Sequence, residues 1–269
     1  MQWSEFSDQR FRFRQAFLFR IGLYRFGGQV VQADIEDREW DKKTMTRHIF
    51  ITIAVLVVSL ILFDVTRLDL AIQNMFFDDR LKHWLVDRHE PVLNMLFYRG
   101  IKVVLVLLFA VFCGVCWAKR RTDLIRANRF GIAVFVVSAL VVPATVNSIK
   151  RVTNIPCPRD LQIYGGAFPY RKIFHAFPAT FEQPHRCRCF PGGHASGGFA
   201  FLGLFFMFKQ KRSKGIAVVS ALSLGWAMGT YKMAIGDHFF SHNLISMELS
   251  WLLVLLVRMM LHRVLHPPP

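Results

Sequence analysis

Long apolar stretches recur along the chain, with charged residues crowded between them. Six can be marked: Ile49–Phe63, Val103–Ala118, Phe130–Ile149, Ala195–Phe208, Gly215–Tyr231 and Asn243–Val257. A helix needs about 20 mostly apolar residues to cross a hydrocarbon core of about 30 Å, so these runs have little slack. Backbone groups in lipid have no water to bond, which leaves the helix as the way for such segments to satisfy themselves. The pattern predicts an all-α, six-transmembrane-helix bundle over residues 48–266. Within it, Pro143 kinks the third span, Lys102 snorkels at the start of the second, and Glu248 is an intramembrane acid needing a partner. Residues 1–47 read as a cytoplasmic segment rich in basic and aromatic residues. Its RFRFRQAFLFR stretch alternates Arg with Phe and suits an anionic leaflet, and a solvated tail fits it equally. It has no apolar h-region followed by a small-residue cleavage site, so no removable signal peptide is expected.

Composition supports the membrane reading. Hydrophobic residues make up 53% of the 269, charged residues only 19%, and mean hydropathy is +0.32. Soluble domains carry about 25% charged residues, so this chain has too little polar surface for a water-soluble globule. The same figures exclude disorder and a small disulfide scaffold. A net charge of +16 in a soluble protein would suggest nucleic acid. Here no nucleic acid is expected, because the basic residues fall between apolar runs and set orientation. The 119–129 connection holds Lys119, Arg120, Arg121, Arg126 and Arg129, and the 209–214 connection holds Lys209, Lys211, Arg212 and Lys214. These two connections and both termini are therefore expected on the cytoplasmic side. The 64–97 connection, with more acids than bases, and the long 150–190 loop fall on the outer side.

Three polar clusters adjoin the membrane on that outer side: Ser148 through Leu161, Phe190 through Gly198, and Tyr231 through His242. Pro191-Gly192-Gly193-His194 running into a helix offers backbone amides to an anion. Lys150 and Lys232 supply point charges for phosphate oxygens. His194 and His238 can serve as acid, base or nucleophile near neutral pH. One imidazole attacking phosphorus and another protonating the leaving group would support in-line displacement. No Asp, Glu or His spacing here suits zinc or magnesium, so no metal or other cofactor is expected. Among the cysteines, Cys113 and Cys116 lie inside a span. Cys157, Cys187 and Cys189 are outside, where Cys157 can pair with either of the other two.

The clusters resemble the tripartite signature of the type-2 phosphatidic acid phosphatase superfamily of membrane lipid phosphatases. Lys150 matches that signature's first Lys, and Cys157-Pro158 stands where Arg-Pro is expected. Pro191-Gly192-Gly193-His194 matches Pro-Ser-Gly-His with Gly for Ser. Tyr231-Lys232 replaces Ser-Arg, His238 falls on the signature His, and His242 takes the place of an Asp. The run Cys-Pro-x-Asp-Leu, then Arg-Cys-Phe-Pro-x-Gly-His-Ala-Ser-Gly-Gly-Phe-Ala and Gly-x-His-Phe-x-Ser-His, is similar to a bacterial branch described as lipid A phosphatase-like. The resemblance implies a phosphatase of the bacterial inner membrane, with a site facing the periplasm and acting on a lipid phosphate or pyrophosphate. His238 would be the nucleophile forming a phosphohistidine, His194 the acid for the leaving group, and His242 the group orienting His238. Phosphate would lie against Lys150, Lys232, Gly192 and Gly193. Arg151 or Arg159 would supply the charge missing at Cys157, with Asp237 or Asp160 in place of the signature carboxylate. The alternatives are a phosphotransferase using the same intermediate and a non-catalytic protein that binds lipid phosphates. Aromatic and basic residues of the 160–190 loop, Tyr164, Phe168 and Phe174 among them, are expected at the headgroup boundary.

Overall fold

A computed structural model of the chain describes Trp40 and residues 42–265. Most of the expected segment 1–47, including its Arg-Phe stretch, lies outside the described residues. Residues 42–47 already belong to the first helix.

Helix α1 (Lys42–Val65) begins before its apolar run and continues past Asp64. Most of its surface carries exposed apolar side chains, Phe50 and Val58 among them. In water that would be a large uncovered patch; against lipid it is a solvated face. Its buried positions, Met45, Thr52, Ser59 and Phe63, repeat near every two turns and form one stripe. The stripe packs on the last helix, α8 (Phe240–Leu265), where Ser59 Oγ donates to Glu248 Oε1 at 2.7 Å. The intramembrane acid thus meets a hydroxyl.

Between them the chain runs through α2 (Leu68–Gln73), a short antiparallel pair of strands β1 (Phe77–Asp78) and β2 (His83–Trp84), and α3 (Pro91–Ala118). Glu90 starts α3 by accepting the amides of Val92 and Leu93, and Pro91 sits at its first position, where no amide is needed. Helix α4 (Asp123–Ala127) precedes α5 (Arg129–Thr153). Helix α6 (Gly193–Met207) is α-helical to Phe199 and then winds as a 3-10 helix from Ala200. Helix α7 (Lys211–Ala234) completes the set before α8.

Helices α1, α3, α5 and α8 are long and apolar enough to cross a membrane. The other two expected spans fall on α6, which is shorter, and on α7, whose Lys211, Arg212, Lys214 and many Ser, Gly and Ala residues lower its hydropathy. Helix α6 is largely buried in the bundle, whereas α7 buries one face and leaves the other, with Ile216 and Val219, exposed. Helix α6 contacts α5, α7 and α8. At the α6–α7 crossing a Cβ added to Gly198 would stand 2.6 Å from Gly225 Cα, so glycine on both sides brings the two backbones together.

One end of the bundle is covered by the 64–97 connection and the loop between α5 and α6. Leu161, Tyr164, Phe168, Cys187 and Phe239 form a core there, with Phe77, Trp84, Phe177 and Phe181 packed against it. Tyr164 Oη donates to Asn74 Oδ1 at 2.7 Å and ties the two loops. Tyr164 and Phe168, expected at the headgroup boundary, are instead buried inside this covering layer, whereas Phe174 is exposed. Loop aromatics can bury far more apolar surface against one another than at a wet interface.

Candidate active site

Lys150 lies in the last turn of α5, one face of which (Pro143, Asn147, Lys150) lines a cavity at the covered end. The helix stops at Asn154, whose backbone is left-handed at φ +54°. The Asn154 side chain then organises the loop, accepting from Cys187 N at 2.8 Å and exchanging hydrogen bonds with Gln183. Thr153 Oγ1 donates to the Phe190 carbonyl, and Cys189 N donates to Ile155 O. A disulfide joins Cys157 to Cys189, settling the alternative left open by the sequence; Cys187 remains a free, buried thiol with a pKa pushed up to about 11 by burial. The first two clusters are thereby stitched edge to edge.

The second and third clusters meet at Gly192, whose amide donates to the His242 carbonyl at 2.8 Å. A Cβ on Gly192 would lie 2.7 Å from Asn243 Oδ1, which explains why glycine stands where the signature has serine. Gly193, one residue on, lies against the Lys150 ammonium: a Cβ there would be 3.4 Å from Nζ. Gly193 therefore lines the cavity, whereas the Gly192 amide is already committed.

Two residues past the end of α7 the chain reverses at Gly236, in the left-handed region at φ +73° and packed under the Trp84 ring. That reversal points Asp237 and His238 into the cavity. The carbonyls left without helical partners at such an end need donors. Here Gln73 Nε2 bonds Met233 O, Val86 N bonds Ala234 O and Arg159 N bonds Gly236 O. Asp69 accepts from Ser241 N and Ser241 Oγ and so caps the first turn of α8 from another part of the chain. Asp69 and Gln73 carried no signal in the sequence, because their partners are more than 150 positions away.

The cavity has a volume of about 620 Å³. His194, His238, Lys150, Lys232, Gly193 and Arg159 all line it. His194 and His238 are buried, at 8% and 4% exposure, so both rings are held rather than free to swing. The His194 ring stacks on Tyr98 with centroids 4.9 Å apart, and it hydrogen-bonds to the Tyr98 backbone. Lys232 Nζ donates to Asp237 Oδ2 at 2.6 Å, and Arg159 pairs with the other oxygen of the same carboxylate. Burial, reinforced by the positive charge of Lys150, holds the His238 imidazole well below its usual pKa, so the ring is neutral at pH 7.

The remaining expected residues are placed elsewhere. His242 sits behind His238, outside the lining, with ring centroids 5.7 Å apart. It hydrogen-bonds to the Cys189 backbone, and the Nδ1 atoms of both rings are buried without a partner among the described residues. Arg151 is exposed and does not line the cavity, whereas Arg159 does; the turn after Asn154 separates them. Asp160 pairs with Arg159 at 3.5 Å. Arg88, Tyr98, Lys102, Asn147 and Arg188 also line the cavity and were not singled out in the sequence as site residues. Tyr98 belongs to a π-helical turn, Met95–Gly100, within α3. Such turns gather at functional sites. Among the described residues no three His, Cys, Asp or Glu side chains converge as metal ligands would.

Comparison with curated proteins gives no match, and comparison with solved structures gives none either. The family model for the PAP2 superfamily, the type-2 phosphatidic acid phosphatases, matches residues 131–265, from the first turn of α5 to the end of α8. That range holds every element that carries Lys150, His194, Lys232 and His238. This multi-pass membrane protein belongs to the PAP2 superfamily, whose enzymes are phosphatases.

Proposed function

We propose that the protein removes phosphate from a lipid phosphate or pyrophosphate at the outer face of a bacterial inner membrane, through a phosphohistidine on His238. The observation that carries this reading is that His238, His194, Lys150 and Lys232 line one cavity. Nδ1 of His238 is buried away from solvent, which leaves Nε2 as the attacking nitrogen. A nucleophile must be unprotonated, and burial keeps this ring so.

In the first step His238 Nε2 forms a bond to phosphorus as the ester bond to the leaving oxygen breaks. That oxygen takes a proton from His194, which the negative charge of the bound phosphate keeps protonated against its burial and the neighbouring lysines, while its ring stays bonded to the Tyr98 backbone. In the second step water attacks phosphorus, His194 takes its proton, and the phosphorus–nitrogen bond breaks to release phosphate. Lys150, Lys232 and Arg159 counter the charge on the non-bridging oxygens, and the Gly193 backbone lets the phosphate approach closely.

Six crossings fit the fold. The two parts of α6 together rise about 26 Å at roughly 1.5 Å per α-helical and 2.0 Å per 3-10 residue, close to the hydrocarbon thickness. With six crossings the 119–129 and 209–214 connections share one side, which their Lys and Arg residues assign to the cytoplasm, and the cavity falls on the other. The Cys157–Cys189 disulfide agrees with an oxidising compartment. Among lipids, a lipid A-like glycolipid phosphate is favoured on the motif resemblance. The test is phosphate release by purified protein from a panel of lipid phosphates, with His238→Ala as control and lipid products read by mass. Release from lipid A-type substrate lost in the variant supports the reading; equal release by both proteins overturns it.

A further inference from the structure

We propose that Arg88, Lys102 and Arg188 form a second phosphoryl-binding subsite in the same cavity, adjacent to the one at His238, so that the preferred substrate carries two neighbouring phosphoryl groups. This rests on the phosphatase reading for its first subsite.

The argument begins with charge. Six cationic side chains line the cavity (Arg88, Lys102, Lys150, Arg159, Arg188 and Lys232), and the lining holds one carboxylate, Asp237. That carboxylate is committed to Lys232 and Arg159. A phosphoryl group at His238 would take up Lys150 and the outward charge of Lys232 and Arg159. Arg88, Lys102 and Arg188 then remain, and none has an acidic partner within ion-pair distance among the described residues. The acids nearest Arg88 in sequence do not neutralise it. Asp87 Oδ1 accepts from His89 N at 2.8 Å, and Glu90 accepts from Val92 N and Leu93 N at the start of α3. Unpaired cations converging on a concave wall are a site for an anion.

Geometry sets the spacing. Lys232 and Lys102 both lie against the ring of Tyr98, at 3.7 and 4.6 Å from its centre. Both ammonium groups contact the same ring, so the two subsites adjoin. Arg88 and Lys102 both act electrostatically on Lys232, so the two groups of charges form one field. A cavity of about 620 Å³ is also far larger than one phosphoryl group requires. A diphosphate, or two phosphates on adjacent atoms, suits subsites that adjoin in this way.

The experiment uses full-length purified protein in detergent and measures binding of methylphosphonate, methylenediphosphonate and 1,4-butanediphosphonate by calorimetry. None of the three is hydrolysable, so binding is read without turnover. Methylenediphosphonate is expected to bind at least about tenfold tighter than methylphosphonate, the scale of one charge-assisted contact. In the double variant Arg88→Gln/Lys102→Gln that ratio is expected to fall to within about threefold, and in Arg88→Lys/Lys102→Arg to recover. The melting temperature of each ligand-free variant checks folding, and both positions are exposed. Equal affinities in the wild type, or an unchanged ratio in the Gln variant, would overturn the subsite. Tighter binding of the butane-spaced probe would overturn its adjacent placement. Phosphate release from a lipid monophosphate tests the phosphatase reading separately: a protein that keeps the diphosphonate preference but releases no phosphate retains the subsite and loses that reading.

Discussion

Asp69 holds the start of α8 three residues after the proposed nucleophile, and its replacement separates two effects that usually travel together. Its carboxyl is 7% exposed and accepts both Ser241 N–H, at 2.9 Å, and Ser241 Oγ–H. Burial raises its pKa from the ordinary 3.8 to about 6, against the lowering effect of those two hydrogen bonds. A carboxyl with a raised folded-state pKa contributes its full stability below pH 3.8 and loses it as pH rises through about 6. The whole window is worth about 3 kcal/mol, of which roughly 1.4 kcal/mol is regained between pH 7.5 and pH 5. Asp69→Asn has no such window. Its amide oxygen can accept from Ser241 N–H and its NH₂ can donate to Ser241 Oγ, so at pH 7.5 it should match or exceed the wild type in stability. Asp69→Ala leaves both Ser241 groups without an acceptor and should be less stable than Asn by about 2 kcal/mol at every pH. At roughly 2–4 °C per kcal/mol for a chain of this size, thermal unfolding in detergent at pH 5 and 7.5 resolves both effects. The wild type should gain on Asn by roughly 3–5 °C on acidification, and Ala should trail Asn by a larger, constant margin. Turnover should fall in Ala and persist in Asn, because the cap positions His238. A wild-type-to-Asn gap that ignores pH, or Ala equal to Asn, would refute the reasoning.

Other consequences are as direct. His238→Ala should lose the chemical step by several orders of magnitude. In the wild type the acid limb of kcat/KM should lie below pH 6.5, because the buried, cation-flanked ring protonates later than a free imidazole; a limb above 6.5 would contradict the burial argument. Cys157→Ser should lower stability by about 4 kcal/mol on the chain-entropy scale for a separation of 32 residues, whereas Cys187→Ala, which breaks no bridge, should cost only about 1 kcal/mol; the melting temperatures of the two variants decide. Gly192→Ser restores the signature residue but drives its Cβ into Asn243 and against the His242 carbonyl, which should cost about 1–3 kcal/mol in thermal unfolding; an unchanged melting temperature would contradict the close packing.

The sequence alone determined what can be written within one segment. Apolar length picked out α1, α3, α5 and α8, because a span must be long and apolar in its own residues to rest in lipid. The chemistry-bearing Lys150, His194, Lys232 and His238 stood out because each sits among short-range neighbours that announce an anion site. The apolar pattern was weaker evidence for α6, which is short, and for α7, whose first turn carries Lys211, Arg212 and Lys214 and whose small residues let α6 approach. Tertiary structure alone chose Cys189 over Cys187 as the partner of Cys157, and Arg159 over Arg151 at the cavity wall. Both choices follow from the left-handed turn at Asn154 and the hydrogen bonds that its side chain makes across the loop. It also turned Tyr164 and Phe168 inward, set Tyr98 beneath His194, and placed Asp69 on Ser241 from 172 residues away. Such pairings leave no local trace, because a hydrogen bond or a stacked ring depends on where two backbones are carried by the whole bundle.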